Sequence, residues 1–201
     1  MSEKHRRYFN ERAAGWDRLI SDKTLQRLGG IIEELDIQPG SNILDVGTGT
    51  GVLIPFLQRV LGGTGSIVAL DLAEEMLQRA REKHGEKQIR YVTGDIAAAP
   101  FRENFFDEVI CNSCFPHFQN KGAAVQEMFR ILKPGGRAVV CHTMSREQLD
   151  SMHKALDSVV YNDRLPANDV MCSLFQQAGF DDLAISDRPT GYLLTARKNK
   201  R

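Results

Sequence analysis

Between residues 42 and 142, short apolar runs rich in β-branched residues alternate with longer amphipathic stretches, and no other feature of the chain constrains its fold as strongly. Strand-length runs occur at 42–46 (NILDV), 66–70 (SIVAL), 89–93 (IRYVT), 106–111 (FDEVIC) and 138–142 (AVVCH). Apolar positions at helical spacing fill 51–61, 73–84 and 122–132, with charges such as Arg79, Arg81, Glu82 and Lys83 on the opposite face. Runs that are apolar throughout suit strands covered on both faces, and the intervening helices supply the covers. The pattern predicts βα units around a mostly parallel sheet: an α/β, Rossmann-like fold with helices on both faces.

The flanks complete this plan. A helix is expected over 22–35, ended by Gln38-Pro39-Gly40. Lys133-Pro134-Gly135-Gly136 is expected to form a turn, because proline cannot continue a helix and glycine accepts positive φ. Beyond 142, helical periodicity covers 145–160 and 167–178 around a polar break at 162–166. Runs at 182–186 and 192–197 read as two final strands, an antiparallel hairpin at the sheet edge that brings the strand count to seven.

A chain of 201 residues suits one domain, 1–201. Lys plus Arg equals Asp plus Glu at 26 each, so no positive surplus argues for a nucleic-acid partner. The charged N-terminus lacks the apolar core of a signal peptide, and no run is long enough to span a bilayer; a cytoplasmic location away from membranes is expected. Four scattered cysteines do not suggest a disulfide framework, and reduced thiols are expected. The residues do not specify an oligomeric state.

The most informative short segment is Ile43-Leu44-Asp45-Val46-Gly47-Thr48-Gly49-Thr50-Gly51, which joins the first strand to the next helix. Three glycines there allow a sharp turn and close backbone approach to a ligand. Asp71 ends the second strand 20 residues beyond Gly51, where a carboxylate can accept both hydroxyls of a ribose or cap the following helix. Asp95, in Thr93-Gly94-Asp95-Ile96, follows the third strand and is placed either to meet an adenine amino group or to form a plain turn. The loop is G-x-G-x-G rather than G-x-G-x-x-G, which disfavours a nicotinamide dinucleotide.

Together these segments resemble the class I S-adenosylmethionine-dependent methyltransferases, of the ubiquinone/menaquinone-biosynthesis type. The resemblance covers nearly the whole chain: LDVGTGTG, VALDLAEEML, GDIAAAPF and EMFRILKPGGRAVV follow one another in the family's order. It implies that S-adenosyl-L-methionine is the cofactor. Gly47, Thr48, Gly49 and Gly51 would line its methionine part, with Asp45 holding the loop or the amino group. Asp71 would bind the ribose, Leu72 and Met76 would pack near the adenine, Asp95 and Ile96 would address the adenine edge, and Asn112 would complete the site. Residues 1–40 would form a helical lid and lead-in, with the Tyr8–Asp17 stretch folding over the cofactor. Residues 145–166, including His153 and Tyr161, would form a variable substrate cap.

The acceptor is expected beyond the carboxyl ends of the fourth and fifth strands, where open α/β sheets bind ligands. His117 and His142 lie in the segments that follow, and imidazole titrates near neutrality, so both are candidate catalytic or substrate-contacting residues. Cys111 and Cys114 have C-x-x-C spacing, with Cys141-His142 on the next strand, but free cysteines in buried strands usually serve as small apolar residues, and no metal is expected there. The resulting expectation is methyl transfer to a small-molecule acceptor. The alternative is a nonenzymatic protein on the same fold that holds a ligand, metal or tetrapyrrole.

Overall fold

A computed structural model describes residues 2–156 and 158–200. Its strands are β1 (Asn42–Val46), β2 (Ser66–Asp71), β3 (Ile89–Thr93), β4 (Phe106–Asn112), β5 (Leu132–His142), β6 (Phe180–Arg188) and β7 (Gly191–Lys198). They form one sheet in the order β3-β2-β1-β4-β5-β7-β6. The first five are parallel, while β7 runs antiparallel to both β5 and β6. The chain winds outward from β1 to β3 and then returns to place β4 beside β1. That reversal opens a crevice at the carboxyl ends of β1 and β4, the usual ligand position in such sheets.

The helices are α1 (Glu3–Arg12), α2 (Asp22–Glu34), α3 (Ile54–Leu61), α4 (Glu74–His84), α5 (Lys121–Ile131), α6 (Arg146–Lys154) and α7 (Asn168–Gln177). Alternate strand residues feed two cores. Leu44, Leu70, Val109 and Val140 pack with Met128 and Phe175 on one face, and Ile43, Ile67, Ile110 and Val139 pack with Ile32 and Leu57 on the other. On the second of these faces, the adjacent strand residues Glu108 and Arg137 form a buried two-pronged ion pair at 2.9 Å, and Arg137 also donates to Leu35 O at 2.6 Å.

Three expectations need correction. Residues 133–136 do not form a free turn; they bow out as a bulge within β5, since Leu132 pairs with Phe106 and Arg137 with Glu108. Lys133 Nζ anchors the bulge on both Asp107 oxygens, at 2.9 and 2.8 Å. The helix expected over 145–160 ends at Lys154, with position 157 outside the described residues. His153 Nδ1 donates to Asp163 O at 2.8 Å, which turns the chain back, and Val160 and Leu165 bury as loop residues. The helix expected from Gly51 begins only at Ile54, with Pro55 in its first turn, where a missing N–H has no cost.

Candidate active site

The glycine loop is held by the strand beside it. Gly47 and Thr48 donate their N–H groups to Leu70 O at 2.8 and 3.1 Å. Gly47 has φ +65°, and a Cβ there would collide with Cys114, whose Sγ would lie 2.9 Å away. Gly49 has φ +56° and faces open space, with nothing within 4 Å of where its Cβ would be. Gly51, by contrast, serves packing: a Cβ would meet the His84 ring at 2.7 Å.

Two buried acids lie beneath this loop. Asp45 accepts from Thr48 Oγ1 at 2.6 Å. Burial pushes its carboxyl up to about 7, with repulsion from Asp71 adding to the effect and the Thr48 bond opposing it. Asp71 accepts from Gly49 N on Oδ2 and from Ala73 N on Oδ1, both at 2.8 Å. Burial raises its carboxyl above the ordinary range despite these N–H bonds. The structure therefore joins Asp45, Gly47, Thr48, Gly49 and Asp71 in one bonded unit. A carboxylate offers about four lone-pair sites, so Asp71 keeps acceptor capacity beyond its backbone bonds.

Other expected residues surround this unit. Asp95 accepts from Ala97 N at 3.1 Å and caps the short 3-10 turn Ile96–Ala98, in which Ile96 is buried. Asn112 ends β4, and its Oδ1 lies 3.8 Å from Cys141 Sγ. Leu72 is half-buried, whereas Met76 is fully buried against Ala13 and Ala73, with Phe9 and Trp16 packed on the same cluster.

That contact is part of a wider closure by the N-terminal segment. Arg6 grips both carboxylate oxygens of Glu74, and Asn10 donates to Glu74 at 3.0 Å while accepting from Glu75 N. From the 3-10 helix Ala13–Leu19, Asp17 accepts from Thr50 Oγ1 at 2.5 Å and from Lys83 Nζ at 2.9 Å. The segment thus spans the glycine loop and the start of α4.

At the other side of the crevice, the histidines have different environments. His117 sits in the 3-10 turn Phe115–His117 after β4, and its Nδ1 lies 2.6 Å from Asp163 Oδ2. Burial lowers its pKa, with Asp163 opposing the shift. His5, from α1, reaches the same carboxylate oxygen through Nε2 at 3.0 Å. Burial pushes the Asp163 carboxyl up, but His117 and His5 outweigh it and hold the group well below the usual range. His142 is 1% exposed, neither ring nitrogen has a hydrogen-bond partner, and burial lowers its pKa to about 3. It is neutral at physiological pH and a weak proton acceptor.

The cysteines form no ligand set with His142 among the described residues. Cys114 Sγ donates to Val46 O at 3.0 Å, Cys111 Sγ lies 4.0 Å from Met128 Sδ, and burial pushes the thiols of Cys114 and Cys141 up, keeping them protonated. Phe115 and Phe118 are core residues, and Tyr161 is 48% exposed. Sequence reasoning missed His5 and Asp163. They lie 158 residues apart and come together only through the fold, so no local pattern marks them.

The family model described as "Methyltransferase domain" matches residues 44–140. The ubiquinone/menaquinone biosynthesis C-methyltransferase of Shewanella halifaxensis is 35% identical over 130 residues, covering 63% of this chain and 51% of that protein. The chain thus spans about half the length of the curated relatives it matches. Among solved structures, a methyltransferase from Haloferax volcanii in complex with the Trm112 activator superposes with a TM-score of 0.81 at 22% identity, covering 95% of this chain and 97% of that one. A methyltransferase structure from Methanococcus maripaludis gives 0.78 at 19%, covering 100% and 98%. No helix among the described residues is long and apolar enough to cross a membrane. Residues 44–140 thus match the methyltransferase-domain family, the sheet has the fold of the methyltransferase structures it superposes on, and the chain is similar in sequence to the ubiquinone/menaquinone biosynthesis C-methyltransferases.

Proposed function

We propose that this protein is an enzyme that transfers the methyl group of S-adenosyl-L-methionine to a small-molecule acceptor, releasing S-adenosylhomocysteine. The observation that carries this reading is the bonded unit of Gly49, Asp71, Thr48 and Asp45 at the sheet's switch point. Two buried carboxyls that repel one another suit a ligand bearing both positive charge and ribose hydroxyls. The cofactor supplies an electrophilic methyl group on a sulfonium.

The chain's own residues do the rest. Asp71 accepts the ribose hydroxyls, Asp45 pairs with the amino group, and Gly49 leaves room for close approach. Leu72, Ile96 and Asp95 enclose the adenine, and Asn112 closes the side nearest the acceptor. The segment around Phe9, Ala13 and Trp16 excludes water, so alignment within a dry site carries much of the rate. His117 meets the acceptor. With Nδ1–H held by Asp163, its Nε2 carries the lone pair and accepts a proton where the acceptor has one to lose. His142 belongs to the wall of the site. The acceptor is the one partner this reading requires, and the even charge balance, with no helix among the described residues long and apolar enough to cross a membrane, supports a cytoplasmic small-molecule enzyme.

Calorimetry with S-adenosylmethionine, S-adenosylhomocysteine and NAD tests the cofactor assignment. The expected result is binding of the first two near micromolar, or about −8 kcal/mol, and no binding of NAD. Labelled methyl transfer to quinone precursors, thiols, small amines and corrinoids then tests the reaction. Absence of cofactor binding overturns the proposal; binding without transfer to any of these classes favours a nonenzymatic ligand-binding role.

A further inference from the structure

We propose that His5, His117 and Asp163 bind a divalent transition-metal ion that ties the N-terminal helix and the cap loop to the loop after β4. The three donors, His5 Nε2, His117 Nδ1 and Asp163 Oδ2, lie within 4.8 Å of one another, and among the described residues no other such group occurs. Their side chains are only 5%, 10% and 10% exposed. They come from α1, the turn after β4 and the segment between α6 and α7, so the cluster is assembled by tertiary structure and is not a by-product of helical spacing.

The geometry is close to that of a loaded site. With metal bonds of about 2.0–2.1 Å, tetrahedral ligand atoms sit about 3.4 Å apart. Here the nitrogen-to-oxygen distances are 3.0 and 2.6 Å, so a shift of the Asp163 carboxylate by less than about 1 Å opens the position. Two imidazoles and one carboxylate suit zinc or iron(II), and such a set leaves coordination positions for water or substrate.

The surroundings resemble an outer shell that orients ligands. Ser2 Oγ lies 2.6 Å from His5 Nδ1. A hydroxyl accepts from Nδ1–H when Nε2 holds the ion and donates to Nδ1 when Nε2–H bonds Asp163, so both states are satisfied. His153 Nδ1 donates to Asp163 O and fixes the loop that carries the carboxylate.

The metal site stands independently of the methyl-transfer reading. If both hold, His117 is a ligand through Nδ1 and its Nε2 carries the hydrogen, so it no longer acts as base; the ion would instead lower the pKa of a coordinated hydroxyl or thiol acceptor, whose proton leaves to solvent water.

The full-length chain, stripped with chelator and desalted, is titrated with Zn²⁺ by calorimetry and with Co²⁺ by visible absorption. The expected result is one ion per chain, with d–d bands of low-coordinate Co²⁺. His5→Gln and Asp163→Asn should each weaken binding by about 100-fold or more, while Cys111→Ser/Cys114→Ser binds as wild type. Circular dichroism checks folding, and if Asp163→Asn unfolds, His5→Gln on the peripheral helix decides. No binding by folded wild type, undiminished binding in His5→Gln, or loss in the cysteine variant overturns the proposal. S-adenosylmethionine binding by the same metal-free samples is measured in parallel, so failure of the cofactor reading registers separately.

Discussion

The backbone N–H of Gly49 donates to Asp71 Oδ2 at 2.8 Å, so the acid that ends β2 directly holds the loop that follows β1. Its other oxygen takes the Ala73 N–H at the start of α4. The carboxylate thus serves as loop anchor, helix cap and, in the proposed function, ribose acceptor.

Asp71→Asn separates these tasks, because an amide has one accepting oxygen where the carboxylate has two. Affinity for S-adenosylmethionine is expected to fall by about 1–3 kcal/mol, and stability by about 1 kcal/mol from the lost cap. Calorimetry and urea unfolding measure the two effects. Stability loss with undiminished affinity would confine Asp71 to capping.

That acid and the loop it holds were legible in the sequence because each is local: glycines at a strand end, and an acid at the end of the next strand. The sheet was legible for the same reason, since β-branched runs show their period within a few residues. The bulge at 133–136 was hidden because Lys-Pro-Gly-Gly signals a turn equally well, and only pairing with β4 keeps it within a strand. The early end of α6 was hidden because the bond that accompanies it, from His153 to Asp163 O, joins residues ten apart in sequence. His5 had no local signal at all; its meaning arises from α1 folding back over the sheet.

Asp45 makes stability depend on pH. In the unfolded chain its carboxyl titrates near 3.9, while burial, chiefly, raises it to about 7 in the fold. Between those values the folded chain keeps a proton that the unfolded chain has lost, so stability falls as pH rises, by up to about 1.4 kcal/mol per pH unit. Asp45→Asn, which keeps an acceptor for Thr48, is expected to flatten the decline between about pH 4 and pH 7. An unchanged slope in urea unfolding would refute the assignment. A cationic ligand favours the ionised carboxyl, so cofactor binding below pH 7 should release a proton, visible as buffer-dependent calorimetric heat.

Gly47 and Gly49 look equivalent in sequence but not in space. Both have positive φ, which costs an alanine about 1–2 kcal/mol. Gly47→Ala also drives its methyl group into Cys114, adding about 1–3 kcal/mol of overpacking. Gly49→Ala points into open space, so it should lose less stability but more cofactor affinity. Equal stability losses in thermal unfolding would contradict this division.

Asp17 forms a latch between the N-terminal segment, the glycine loop and α4. Its two oxygens accept from Thr50 in the glycine loop and Lys83 on α4, which pins the segment carrying Trp16 across the glycine loop and α4. The Lys83 pair is solvent-exposed and screened, so the buried end of the Thr50 bond carries most of the effect. Asp17→Ala is expected to weaken S-adenosylmethionine binding by about 0.5–1.5 kcal/mol, roughly 2- to 13-fold. The loss should appear as faster dissociation, because a latch slows opening more than it guides encounter. Trp16 is the chain's single tryptophan, so its emission reports the segment without a label. A red shift in the variant, reversed by saturating cofactor, is the expected signature of a released lid. Unchanged dissociation in stopped-flow fluorescence, with emission like the wild type, would show that Phe9 and Trp16 packing on Met76 closes the site without Asp17.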